Sequence, residues 1–180
     1  MSTNSVPSPR SFLVTGATGF VGTHLCRQLA ASGHQVTAAV RENSNLSRLP
    51  SQARVVPVGQ IDGDTDWSPV FDAQSFDVIV HLAARVHVLR ERSQDPLADF
   101  LRTNLHGTER LAQAAAQQQC RFVYASSVHA MCCLSCEVLD ENTPCAPETP
   151  YGQSKLAAER RIWELIRQQQ LDAVIVRITP

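Results

Sequence analysis

The stretch Thr15-Gly16-Ala17-Thr18-Gly19-Phe20-Val21-Gly22 joins a short apolar run, Phe12 to Thr15, to a segment with helical apolar spacing at Val21, Leu25 and Leu29. Glycine at a strand-to-helix turn lets the backbone fold tightly and approach a pyrophosphate. The helix N-terminus beyond it offers N–H donors and positive potential. The spacing is G-x-x-G-x-x-G, not the G-x-G-x-x-G of the commoner fingerprint. A glycine triplet alone marks only a turn. At the first junction of an alternating chain it points to dinucleotide binding.

Such alternation continues on both sides of the turn. Gly33 closes the first helix, Val36 to Val40 and Val55 to Val58 read as strands, and a weak helix is predicted near Pro69 to Ala73. Asp77 to Leu82 is apolar on both faces, as a central parallel strand should be. A single long helix is predicted from Asp95 to Gln118, with Leu97, Leu101, Leu105, Thr108, Leu111 and Ala115 on one stripe. The strand Arg121 to Ala125, a Cys- and Pro-rich loop, a helix from Tyr151 to about Gln169 and the strand Ala173 to Arg177 complete the pattern. Thr149 and Pro150 suit the N-cap and N1 positions of that last helix. Repeated β-α-β order predicts an α/β fold, a Rossmann-like doubly wound parallel sheet in three layers.

Composition agrees with one domain over 11–180 behind a short, Ser- and Pro-rich flexible leader, 1–10. The 180 residues are 43% hydrophobic and 18% charged, with a net charge of −1. A chain near neutrality has no electrostatic reason to bind nucleic acid or an acidic membrane surface. No apolar run approaches the roughly 18 residues of a membrane span, and the leader lacks the apolar region of a secretion signal. The six cysteines, read in that setting, are expected to be free thiols in a reducing cytoplasm. Cys133-Leu134-Ser135-Cys136 has metal-ligand spacing, but the second ligand pair of a structural zinc site is missing, so no metal is expected. Trp67 and Trp163 read as packing residues, and His81 as a residue packed at a strand end.

Cofactor choice is expected to rest near the end of the second strand, where an acid would hold a ribose 2′-hydroxyl and an arginine a 2′-phosphate. The chain has Ala38-Ala39-Val40-Arg41 there, so Arg41 favours NADP over NAD. Tyr151 and Lys155, four apart on a helix, share a face. A tyrosine with a pKa of roughly 10 is a poor base at neutral pH, and a neighbouring ammonium favours its phenolate. Ser127, at the end of the preceding strand, stands where open parallel sheets bind ligands.

The Thr15–Gly22 turn, His81-Leu82-Ala83-Ala84, Asn104 with Gly107-Thr108, Ser126-Ser127 and Tyr151 to Lys155 together resemble the extended short-chain dehydrogenase/reductases. Within them the chain is most similar to the NAD(P)-dependent sugar-nucleotide epimerase/dehydratase group, over residues 12 to 177. The resemblance implies that Tyr151 is the general acid/base, that Lys155 binds the nicotinamide ribose and tunes Tyr151, and that Ser127 orients the substrate oxygen. Gly16, Thr18, Gly19, Phe20, Val21, Gly22, Leu82, Ala83, Ala84 and Asn104 would hold the cofactor. The substrate implied is a nucleotide-activated sugar such as a UDP-sugar, epimerised or reduced at C4.

Dehydratases of the group carry an Asp-Glu pair just after the active hydroxyl residue. Here Val128-His129 follows Ser127, which argues against dehydration. The resemblance further implies a sugar-binding lobe after the last strand, so that a form truncated at its C-terminus is the expectation, and a homodimer through the 95–118 and 151–169 helices. The rival reading is a non-catalytic NAD(P)-binding module or inactive remnant.

Overall fold

A computed structural model describes residues 8–86, 93–131, 140, 142–168 and 170–179. Its six strands are β1 (Ser11–Thr15), β2 (Gln35–Val40), β3 (Arg54–Pro57), β4 (Val78–His81), β5 (Arg121–Ser127) and β6 (Ala173–Ile178). They form one all-parallel sheet in the order β3-β2-β1-β4-β5-β6. Strand order reverses between β1 and β4, and the carboxyl ends on either side of that reversal leave a crevice.

Alternation of side chains within strands divides the core in two. Val14, Ala38, Val78 and Val80 pack with Cys26, Leu25 and Leu29 of α1 (Phe20–Ala31). Their neighbours Leu13, Ala39, Ile79, Phe122 and Tyr124 face the other way. They meet Leu111, Ala112 and Ala115 of α4 (Thr108–Gln117) and Ala158, Ile162 and Leu165 of α5 (Pro150–Arg167). Two helical layers on one parallel sheet make the three-layer Rossmann-like arrangement. The α1 side thins out at β6, where Val174, Val176 and Ile178 are 40–45% exposed.

The short helix α2 (Ser68–Phe71) and buried Trp67 fall as expected, but Trp163 is half exposed. The single helix expected over 95–118 is broken. It runs as α3 (Pro96–Leu101), a π-helical segment (Arg102–Gly107) and α4. A π turn inserts one residue into the i→i−4 ladder without disturbing the apolar stripe on either side, so periodicity passes over it. Arg161 of α5 donates to Glu109 of α4 at 2.7 Å, tying the two helices together. Among the described residues no helix is long and apolar enough to cross a membrane.

Candidate functional site

The glycine turn brings backbone against backbone. Gly16 has φ +66°, and a Cβ there would lie 2.8 Å from the Ala83 nitrogen. At Gly22 a Cβ would lie 2.2 Å from the Gly16 carbonyl oxygen. The helix that follows starts at Phe20 with no side-chain cap, which leaves its first N–H groups to whatever lies before them. What lies there is a cavity of about 770 Å³. Gly16, Thr18, Gly19, Phe20, Val21 and Gly22 line one side, Arg41 the end of β2, and Leu82, Ala83 and Ala84 the end of β4. Uncapped donors beside a cavity of this size fit the diphosphate of a dinucleotide.

Sequence reasoning missed Val58, Gly59, Gln60 and Ile61, which wall the cavity beyond β3. Their position just past a strand adjoining β2 was the available signal. A side lobe lined by Arg41, Glu42, Asn43, Ser44, Gly59 and Gln60 continues the cavity at this end.

The Leu82–Ala84 wall is fixed from below. The Thr15 hydroxyl accepts from the Ala83 N–H at 3.2 Å and shares a hydrogen bond with His81 Nδ1 at 2.6 Å. His81 Nε2 shares a second hydrogen bond with the Thr108 hydroxyl at 3.0 Å. Burial, with the Lys155 charge adding to it, pushes the imidazole down to about 3, so His81 serves this chain in its neutral form.

Ser127, Tyr151 and Lys155 meet where β5 ends and α5 begins. The Thr149 hydroxyl caps α5 by accepting from the Gly152 N–H at 3.1 Å, with Pro150 in the first turn. The Ser127 oxygen accepts from the His129 N–H at 3.2 Å, and its hydroxyl and the Tyr151 phenol share a hydrogen bond. The His129 ring centroid lies 6.1 Å from that of Tyr151. Burial raises the Tyr151 phenol above its ordinary value, and the Ser127 hydrogen bond only partly opposes this. The expected lowering by Lys155 is not what the protein alone displays. Lys155 is instead turned to the strand: its Nζ donates to the Ala125 carbonyl at 2.7 Å and stands 4.1 Å above the Tyr124 ring. Burial pulls this ammonium down to about 7, against an opposing effect of Glu159. Lys155 is the chain's only lysine among 16 Lys and Arg residues, a signal readable by counting.

Asn104 stands behind the cavity and is not among its walls. Its Oδ1 accepts from the Arg85 N–H at 2.8 Å; its Nδ2 donates to the Arg85 carbonyl at 3.0 Å and to the Ser154 hydroxyl at 2.9 Å. The π segment thereby ties the loop after β4 to the helix of Tyr151 and Lys155. The C-x-x-C pair lies outside the described residues. Cys26, Cys120 and Cys145 are free thiols, and no cluster of metal-ligating side chains occurs among the described residues.

Residues 12–180 match the model of the NAD dependent epimerase/dehydratase family. A UDP-glucose 4-epimerase of Vibrio cholerae is 34% identical over 99% of this chain and 54% of its own length. A dTDP-glucose 4,6-dehydratase of Streptomyces niveus is 33% identical over 93% of this chain and 52% of its own. The crystal structure of Thermus thermophilus UDP-glucose 4-epimerase in complex with NAD superposes with TM-score 0.79 at 27% identity, over 93% of this chain and 54% of that one. The chain thus spans about half the length of the relatives it matches. With its strand order, its glycine turn and a family match across nearly all its residues, it belongs to the NAD dependent epimerase/dehydratase family.

Proposed function

We propose that the chain binds NAD(P) and acts at C4 of a nucleotide-activated sugar, as an epimerase or a 4-ketoreductase. The observation that carries this reading is the meeting of Ser127, Tyr151 and Lys155 at a strand end, in a sheet whose central crevice holds the uncapped start of α1. When bound, a nicotinamide supplies the redox partner for C4. Tyr151 takes the proton from the C4 hydroxyl, or returns it, at its phenolic oxygen. Ser127 holds the same substrate oxygen by a hydrogen bond, and the Lys155 ammonium favours the phenolate once it faces the site. Val128-His129 after Ser127 supplies no carboxylate pair, which favours C4 chemistry without elimination.

Arg41 at the rim of the side lobe supports a preference for NADP, although Glu42 shares that lobe. Reduced-nicotinamide fluorescence tests both points. Saturable binding of NADPH, tighter than NADH, is expected. Arg41→Ala should weaken NADPH by about tenfold and leave NADH nearly unchanged, because one charge-assisted contact to the 2′-phosphate is lost. Folded protein that binds neither dinucleotide overturns the reading and favours the remnant. With UDP-glucose added, absorbance at the nicotinamide band and proton NMR of the sugar separate net reduction from epimerisation. Tyr151→Phe should abolish either product while leaving dinucleotide binding intact.

We further place the enzyme in the cytoplasm, as a homodimer through α3–α4 and α5. The Glu109–Arg161 link that makes these helices one unit supports the second point. Sedimentation equilibrium is expected to give twice the 19.7 kDa chain mass; a monomer at micromolar concentration excludes the dimer.

A further inference from the structure

One turn past Lys155 on α5 lies a second buried charge, Glu159, with only 1% of its surface exposed. Its carboxylate is fully engaged. Arg177 of β6 donates to it from Nε at 3.0 and 3.2 Å and from Nη2 at 2.7 Å. The Ser126 hydroxyl donates to the same Oε1 from β5. Ser126 and Arg177 are register partners across the β5–β6 pair, so the carboxylate bolts α5 onto both strands at one level. Ser127 is the next residue along β5. The Ala125 carbonyl, which receives the Lys155 ammonium, is the residue before. Buried Lys155, Glu159 and Ser126 and the partly exposed Arg177 therefore lie close together behind Ser127 and Tyr151.

A buried carboxylate is costly unless paired, and an isolated ion pair is often replaceable by apolar residues without loss of stability. Stability alone does not account for an arrangement that puts the carboxylate one helical turn from the chain's only lysine. We propose that Glu159 is a positioning residue of the site: its buried carboxylate, anchored by Arg177 and Ser126, is the counter-charge that holds the Lys155 ammonium between the Ala125 carbonyl and the Tyr124 ring and sets it level with Ser127. This rests on the reading of Lys155 as the cation of the site.

The other groups around Lys155 cannot take this part. His81 from β4 is neutral, and Tyr124 from β5 is pushed well above the ordinary tyrosine value by burial. Tyr151, on the same helix as Lys155, is raised and uncharged at neutral pH, and Arg177 from β6 adds a like charge. Among the charged groups of the described residues, Glu159 is the one that opposes the burial of the ammonium. Arg177 also donates to the Cys145 sulfur at 3.3 Å, which holds the guanidinium from its far side.

Because the chain has one lysine, selective 13Cε-lysine labelling gives one side-chain signal, and its pH titration reads Lys155 directly. Glu159→Gln keeps the size and removes the charge. Its lysine midpoint is expected to fall by about one pH unit or more, and Glu159→Asp should bring it back towards wild type. Arg177→Gln removes a like charge and leaves Glu159 less compensated, so its midpoint should rise. Opposite signs distinguish counter-charge from general loosening, which would move both variants the same way.

An unchanged midpoint in Glu159→Gln, or shifts of equal sign, overturns the proposal. If circular dichroism shows Glu159→Gln unfolded, Arg177→Gln decides alone: a rise supports the proposal and anything else refutes it. Wild-type protein that binds no NADH or NADPH would sink the proposed activity and leave this titration standing.

Discussion

Gly22→Val is expected to abolish dinucleotide binding and to destabilise the fold by several kcal/mol. A Cβ at this position would lie 2.2 Å from the Gly16 carbonyl oxygen, 2.8 Å from the Ala17 Cα and 2.9 Å from the Ala17 carbonyl carbon. All three are backbone atoms of the turn itself, so no side chain can swing aside. Relief requires α1 to move away from β1, which opens the packing of Cys26 and Leu25 against Val14 and Val80. Overpacking against yielding side chains costs roughly 1–3 kcal/mol, and rigid backbone puts this case at or above the top of that range. The same movement carries the α1 N–H donors off the place where they converge, so binding is lost even in molecules that remain folded. Gly19→Ala is the graded control. Its Cβ would meet the Gly16 oxygen at 3.2 Å, a contact a small shift relieves. Urea unfolding and NADH fluorescence should rank the variants wild type, Gly19→Ala, Gly22→Val. Wild-type affinity in Gly22→Val would show that the turn is not the cradle.

Local chemistry explains what was legible in the sequence. The segment with helical spacing at Val21, Leu25 and Leu29, closed by Gly33, is α1 (Phe20–Ala31), because a glycine turn and a helical stripe specify it within a few residues. The strands were found within a residue or two because each is a short apolar run between polar breaks. The Thr149 cap and Pro150 were readable for the same reason. Long-range features were not. Glu159, Ser126 and Arg177 are separated by 33 and 18 residues, and no window of sequence joins them. The hydrogen bonds of Asn104 to Arg85 and Ser154 depend on a π turn and on contacts distant in sequence. Exposure of Val174, Val176 and Ile178 was equally hidden, since a strand apolar on both faces reads alike whether one or both are covered.

Lys155→Met is expected to remove activity and yet stabilise the protein, most of all at low pH. The side chain is 2% exposed, and its value falls from 10.5 to about 7 on folding, chiefly through burial. Below about pH 7 both folded and unfolded chains carry the proton, and folding bears the whole cost of burying that charge. Between 7 and 10.5 the folded chain releases it while the unfolded chain keeps it, so the cost shrinks as pH rises and has vanished above 10.5. Methionine has similar length and no charge to desolvate. What it gives up is the hydrogen bond to the Ala125 carbonyl and the contact with the Tyr124 ring, together about 1–2 kcal/mol. Glu159 keeps Arg177, so no orphan carboxylate is left behind. The expected gain is therefore on the order of 1 kcal/mol near pH 6, and it turns into a loss near pH 10. On the proposed function, turnover of a nucleotide sugar should fall by at least about 100-fold, because Tyr151, already raised by burial, would have no cation to favour its phenolate. Urea midpoints near pH 6 and pH 10 decide the matter. A variant less stable than wild type at both would mean that Lys155 is a packing residue. A variant more stable at the lower pH and inactive would mean that the fold carries a cost for chemistry at this position.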